Sequence, residues 1–374
     1  MNISQKTQRA VLAVAVSALG MGAALAEGPT VSGFVDFGYV YNMNGLSANT
    51  YRAFDGNANT FTLQNAELVV AGKSASDVGY RVDVDYGNDA GVVNAFDKSQ
   101  PAGSQIDLQQ AFITIPCPLT KGVFTVGKFV TMHGAEVIEA KDNYNYSRGL
   151  LFTNAIPLVH TGVKYDKSFL DGKYTLSGGV VNGWDISKDN NKSKSFMVQT
   201  GVNAIPKVSL LVGGMYGPET TSPPFSVATA TGSTEKFSRS LVDVVLKYTP
   251  TSKLTLLANA DWGVEEGAAF QATATDDMTA NWAGVALYAN YAFTDAVAGT
   301  LRYENFDDEG SRLTAGALHQ TINSITGTLQ YKMKDVITRL EYRTDQSTDK
   351  VYTKKDGTLD DTESTIGLEV IYSF

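Results

Sequence analysis

The stretch Ser364-Thr365-Ile366-Gly367-Leu368-Glu369-Val370-Ile371-Tyr372-Ser373-Phe374 decides the fold. Side chains alternate between the two faces of a strand, so Ile366, Leu368, Val370, Tyr372 and Phe374 share one face. The opposite face is mixed, with Thr365, Gly367, Glu369, Ile371 and Ser373. A strand that finishes on an unprotected ring calls for apolar surroundings on that side.

The same division recurs upstream. Val78, Tyr80, Val82, Val84 and Tyr86 alternate with Arg81, Asp83 and Asp85; Val159, Thr161, Val163 and Tyr165 alternate with His160, Lys164 and Asp166. Val297, Gly299, Leu301 and Tyr303 oppose Thr300, Arg302 and Glu304, while Val336, Thr338, Leu340 and Tyr342 oppose Arg339, Glu341 and Arg343. A soluble sandwich keeps charge out of its core. Apolar and charged faces in this order predict a sheet that is greasy outside and wet inside.

The first residues read as an exported chain. Lys6 and Arg9 precede an apolar run from Ala10, and Ala24-Leu25-Ala26 supplies small residues for cleavage. The expectation is a signal peptide over 1–26 and a single mature unit over 27–374. Losing Lys6 and Arg9 takes the formal net charge from −9 to −11. That balance argues against nucleic acid, whose phosphates demand a basic face. Cys117 is the single cysteine, so no internal disulfide forms. After residue 26 no apolar run is long enough for a transmembrane helix, which leaves a closed barrel as the way to span a bilayer.

Alternating stretches between turn signals give about 16 strands, near residues 30–42, 60–71, 77–87, 105–115, 122–129, 157–166, 173–182, 195–204, 207–216, 237–248, 253–263, 281–292, 296–305, 319–333, 336–345 and 363–374. Connections alternate between tight turns and long polar segments at 43–59, 88–104, 130–156, 183–194, 217–236, 264–280, 306–318 and 346–362. That plan predicts an all-β, transmembrane, antiparallel up-and-down β-barrel with short turns on the periplasmic side and long loops outside. Tyr86, Tyr216, Tyr248, Trp262, Tyr291, Tyr331 and Tyr372 fall near strand ends, where amphipathic rings suit the membrane interface. Phe374 then reads as the last interfacial ring, the terminal aromatic by which barrels are presented to the barrel-assembly machinery.

Several stretches resemble one known family: "YRAFDGNANTFTLQNAELVV" followed by "VGYRVDVDYG", then "QQAFIT", "GKFVTMHGAEVIEAKDNYNYSRGLLFTNAIPLVHTGVKY", and "VVNGWD" before "DNNKSKSF". Together they resemble the outer-membrane β-barrel porin family described as OmpL-like, the second β-barrel porin class. The resemblance covers roughly residues 30 to 217. It implies a channel in a bacterial outer membrane and does not name a solute.

Functional expectations follow from the loops and the inner wall. In the third long segment Glu136, Glu139, Lys141, Asp142 and Arg148 are candidates for a constriction loop folded into the lumen. Arg81, Asp83, Asp85, His160, Lys164, Arg302, Glu304, Arg339, Glu341 and Arg343 are candidates for the pore wall, where opposed charges set ion preference. Trp184 in "NGWD" is expected to anchor the rim in lipid headgroups, with Asn182 and Asp185 holding the turn. The acidic loops "ENFDDEGSR" and "KKDGTLDDTEST" lack the calcium-loop pattern, so no metal or cofactor is expected. His133, His160 and His319 belong to no catalytic motif, and no enzyme is expected. The reading is passive diffusion of small hydrophilic solutes or ions, with outer-membrane lipid around the barrel and a homotrimer as one assembly open to it. The alternative is a surface adhesin or structural barrel with a plugged lumen.

Overall fold

The computed structural model describes residues 28–97, 99–100, 103–219, 237–266, 279–309, 312–313 and 319–374. The proposed leader at 1–26 and most of the long segments at 217–236, 264–280 and 306–318 lie outside them. Strands run in chain order as β1 Thr30–Asn42, β2 Phe61–Lys73, β3 Gly79–Tyr86, β4 Ile106–Pro116, β5 Val123–Val130, β6 Val159–Phe169, β7 Tyr174–Val181 and β8 Ser195–Val202. They continue as β9 Val208–Glu219, β10 Phe237–Tyr248, β11 Leu254–Glu265, β12 Ala280–Ala292, β13 Val297–Asp308, β14 Gln320–Met333 and β15 Val336–Ser347. Two-residue strands β16 Tyr352–Thr353 and β17 Leu359–Asp360 pair within the last long loop, and β18 Thr362–Ser373 closes the barrel. Among the described residues two α-helices, α1 Asn88–Phe96 and α2 Leu150–Asn154, lie in long loops.

Sixteen strands pair antiparallel with their chain neighbours, and β1 joins β18 to close the ring. Closure leaves no unpaired sheet edge, the condition for crossing hydrocarbon. Most strands are long enough to span it when tilted. Expected and observed strands agree to within a few residues, with the largest extensions at the ends of β6, β9 and β13.

The outer face carries exposed Phe37, Leu68's neighbours on β3 and β4 such as Val84 and Leu108, then Val163, Leu176, Val198, Leu246, Leu287, Leu301, Leu340 and Leu368. All seven interfacial rings expected from the sequence are exposed there, from Tyr248 at 42% to Tyr216 at 58%. Phe374 is half-exposed and stacks on Tyr372, while its backbone pairs with Gly33.

The interior departs from a uniformly wet lumen. Phe54, Val93, Leu150, Leu151, Phe152, Ile156, Leu158 and Trp184 come from the loops and pack against inward side chains of β8–β14: Met197, Met215, Leu241, Leu257, Trp282, Phe306 and Ile322. Each such fully buried apolar side chain contributes about 1.5–3 kcal/mol. The loops therefore fold into the barrel on a hydrophobic core of their own.

Candidate constriction inside the barrel

The segment 131–158, called L3 here, leaves β5, crosses the interior and returns to β6. Backbone polar groups that leave a sheet must find partners inside, and the wall arginines supply them. Arg339 donates to the Ala140 carbonyl at 3.0 Å and the Asn143 carbonyl at 2.6 Å while pairing with Glu369 at 2.8 Å. Arg302 donates to the Ser147 carbonyl at 2.7 Å and pairs with Glu136 at 2.7 Å and Glu304 at 3.1 Å. Arg343 donates to the Arg148 carbonyl at 2.8 Å and pairs with Asp345 at 2.8 Å. Glu341 accepts the Tyr146 and Ser147 amides at 2.8 and 3.0 Å.

Further contacts fix the ends and middle. The Tyr146 ring lies against Gly38 of β1, where a Cβ would collide with its hydroxyl, and that hydroxyl accepts from Gln64 at 2.6 Å. Arg148 meets Asp89 of α1 at 3.3 Å, so the second long loop braces the third. Near the start of L3 the Ala135 amide donates to Asn259 at 3.1 Å. At its end, Asp185 accepts the Leu158 and Val159 amides at 2.6 and 3.0 Å. Burial pushes the Asp185 carboxyl up to about 6 against the pull of those two N–H groups.

The structure thus sorts the sequence-predicted residues into separate groups. Arg302, Glu304, Arg339, Glu341 and Arg343 are buried under L3 and bind it. Glu136 and Arg148 are consumed in the same network. Arg81 pairs with Asp83 at 2.9 Å and Lys164 with Asp166 at 3.1 Å, both cations partly open. Asp85 is buried, and His160 is buried beside Thr131 at 3.2 Å. Burial holds the Glu139 carboxyl above its usual range. Lys141 and Asp142 pair with each other and remain partly exposed.

Between L3 and the β9–β12 wall lies a cavity of about 300 Å³, lined on the loop side by Glu136, Asp142, Asn143 and Tyr144 and on the wall side by Ser209, Lys247 and Tyr288. Lys247 opposite Glu136 and Asp142 is the charge juxtaposition that the sequence reading missed. Alternation puts Lys247 on the inward face with Val245 and Asp243, within the expected strand 237–248, but alternation does not show which loop charges lie across from it.

Trp184 corrects one expectation. It is 6% exposed and lies inside the barrel, edge-on to Trp282 at 6.0 Å and under the guanidinium groups of Arg239 and Arg312 at 4.9 and 5.2 Å. Two cations over its face hold the indole inside rather than at the headgroups. Among the described residues no group of three or more His, Cys, Asp or Glu could hold a metal ion.

A sixteen-stranded closed barrel with a loop pinned across its lumen defines a general class of outer-membrane channel. The sequence matches the family described as "Putative beta-barrel porin-2, OmpL-like" over residues 28–374, and the chain belongs to that family. It is an outer-membrane porin. No curated protein matches the chain. Solved structures share its fold at low identity. OmpT of Vibrio cholerae is 15% identical with a TM-score of 0.59, covering 94% of this chain and 100% of that one. The outer membrane channel DcaP of Acinetobacter baumannii is 13% identical with a TM-score of 0.62, covering 94% and 100%. The anion-selective porin from Comamonas acidovorans is 10% identical with a TM-score of 0.63, covering 92% and 99%.

Proposed function

We propose that the chain passes small hydrophilic solutes and ions down their gradients, without cofactor, metal or catalysis, and that L3 sets the size limit. The observation that carries this reading is the gap between Glu136 and Asp142 on the loop and Lys247 on the wall. Opposed charges across a narrow water path orient hydrated solutes and slow apolar ones. The test is swelling of liposomes that hold the purified barrel, with sugars of graded size. Swelling that falls off steeply with solute size supports a sieve; no swelling with any sugar contradicts it. The packed core formed by Phe152, Trp184 and Trp282 is what favours the second reading, a plugged barrel that serves recognition, and the same null result would support it.

Export and assembly belong to the same proposal. Cleavage after Ala26 releases the mature chain, and the strand ending on Phe374 is the segment offered to the barrel-assembly machinery. A homotrimer is supported by an apolar groove of about 590 Å³ on the outer face, across β10–β14, between Leu246, Ala258, Leu287, Ala289 and Leu301. One of the OmpT structures of Vibrio cholerae is described as a trimer form. The mass of the particle in detergent tests it, a single-chain mass counting against the trimer.

A further inference from the structure

The charges that line the gap between L3 and the β9–β12 wall are not equally free. On the loop side Glu136 is fully engaged: its Oε1 accepts from Arg302 at 2.7 Å and its Oε2 from the Gly149 amide at 2.6 Å. Asp142 pairs with the adjacent Lys141. Glu304, the other partner of Arg302, is fully buried and does not line the gap. On the wall side Lys247 is exposed, and among the described residues its ammonium has no hydrogen bond or ion pair. The gap therefore holds two committed carboxylates facing one uncommitted cation.

The ladder fixes what surrounds that ammonium. Lys247 pairs with Ser209 of β9 on one side and with Leu257 of β11 on the other, and Leu257 pairs with Tyr288 of β12. All four line the gap in one row across the wall. Two residues further along the strands the row changes character, with Leu211 opposite Val245. Side chains two apart on a strand share a face, so the cation and this apolar pair meet the same space. A second sign lies outside the gap, at the same end of the barrel. The turns 203–207 and 249–253, which lead into β9 and β11, carry exposed Lys207 and Lys253 and no Asp or Glu. Fixed charge of one sign at a mouth raises the local concentration of the opposite ion.

We propose that the gap selects small monocarboxylates over cations and over dicarboxylates, with the carboxylate held at Lys247 and Ser209. The proposal rests on the porin reading and adds its substrate class. A free ammonium beside a hydroxyl offers donors to both oxygens of one carboxylate. The short carbon chain then lies along Leu211 and Val245. A second carboxylate would turn toward Glu136 and Asp142, whose cations are already used, and like charges across a narrow path repel.

The experiment is the reversal potential of the folded chain in planar bilayers, first under a potassium chloride gradient. Wild type favours chloride, and Lys247→Gln moves the permeability ratio about threefold toward potassium. Lys350→Gln, which removes the same charge from an exposed loop, leaves the ratio where it was. Replacing chloride on one side by potassium butyrate or potassium malonate at pH 8 then reads the substrate class. Butyrate permeates several-fold better than malonate, a doubly charged anion of similar size. Open wild-type channels that favour potassium overturn the proposal and leave the porin reading intact. A chloride preference that Lys247→Gln does not move does the same. Equal permeation of butyrate and malonate also overturns it, and that comparison needs no variant to fold. Absence of channels in wild type overturns both readings.

Discussion

Arg339 divides its guanidinium between the wall and the loop, with Glu369 on one side and the Ala140 and Asn143 carbonyls on the other. Replacing it by Ala leaves Glu369 buried and unpaired, a change that costs about 3–5 kcal/mol in buried ion pairs. The expected outcome for Arg339→Ala is a lower urea midpoint in detergent together with noisier, larger channel currents. An unchanged midpoint would remove Arg339 from its anchoring role. Gly38 makes the complementary point, because any Cβ there meets the Tyr146 ring. Gly38→Val is expected to displace L3, whereas Tyr146→Phe loses one hydrogen bond, worth about 1 kcal/mol, and keeps the packing. Tryptic cleavage within 131–158 separates the two, appearing in the first variant and not in the second. At this scale the sequence was partly legible. Alternation put Arg302, Arg339 and Arg343 on the inner face correctly, but a face assignment does not say whether a charge meets water or another loop. Lys247 fell within an expected strand, but the charges opposite it belong to L3 and only the folded loop brings them there, while Trp184 was misplaced because an aromatic at a strand end fits either the rim or the core.

L3 is the element on which the proposed size limit rests, and its two ends are held differently. Near the start the Ala135 amide meets Asn259; at the end Asp185 takes two amides in a buried pocket. The Asp185 carboxyl sits near 6 in the folded chain, above its unfolded value of about 4, so the folded state binds the proton more readily. Packing of the junction between L3 and the 183–194 segment therefore strengthens as pH falls through about 6 and is weaker above it. Hydrogen exchange at Leu158 and Val159, corrected for its intrinsic rate, is expected to slow from pH 7.5 to pH 5; faster exchange at the lower pH contradicts the assignment. The sequence announced L3 through its length and its mixture of charge with "GLLF", since an apolar run in a loop has to be buried somewhere. It did not announce the partners of that run. Inward Met197, Leu241 and Trp282 stand beside outward Phe196, Val242 and Ala283, and a strand apolar on both faces gives no alternation to read.

For the whole molecule, the barrel was legible almost completely because membrane spanning leaves so few choices: closed, antiparallel, apolar outside, short turns on one side. What remained illegible was how much of the bore is filled, since loop packing depends on contacts hundreds of residues apart, such as Arg52 with Thr365 at 2.9 Å and Tyr146 with Glu341 at 2.8 Å. A porin of this build needs a water path between L3 and the β9–β12 wall. Single-channel recording of the mature chain refolded into planar bilayers tests it most directly. The prediction is discrete, ohmic current steps that scale with salt concentration and grow when Arg339→Ala frees the loop. Reproducible insertion without steps, in wild type and variant alike, would contradict it and leave a sealed barrel.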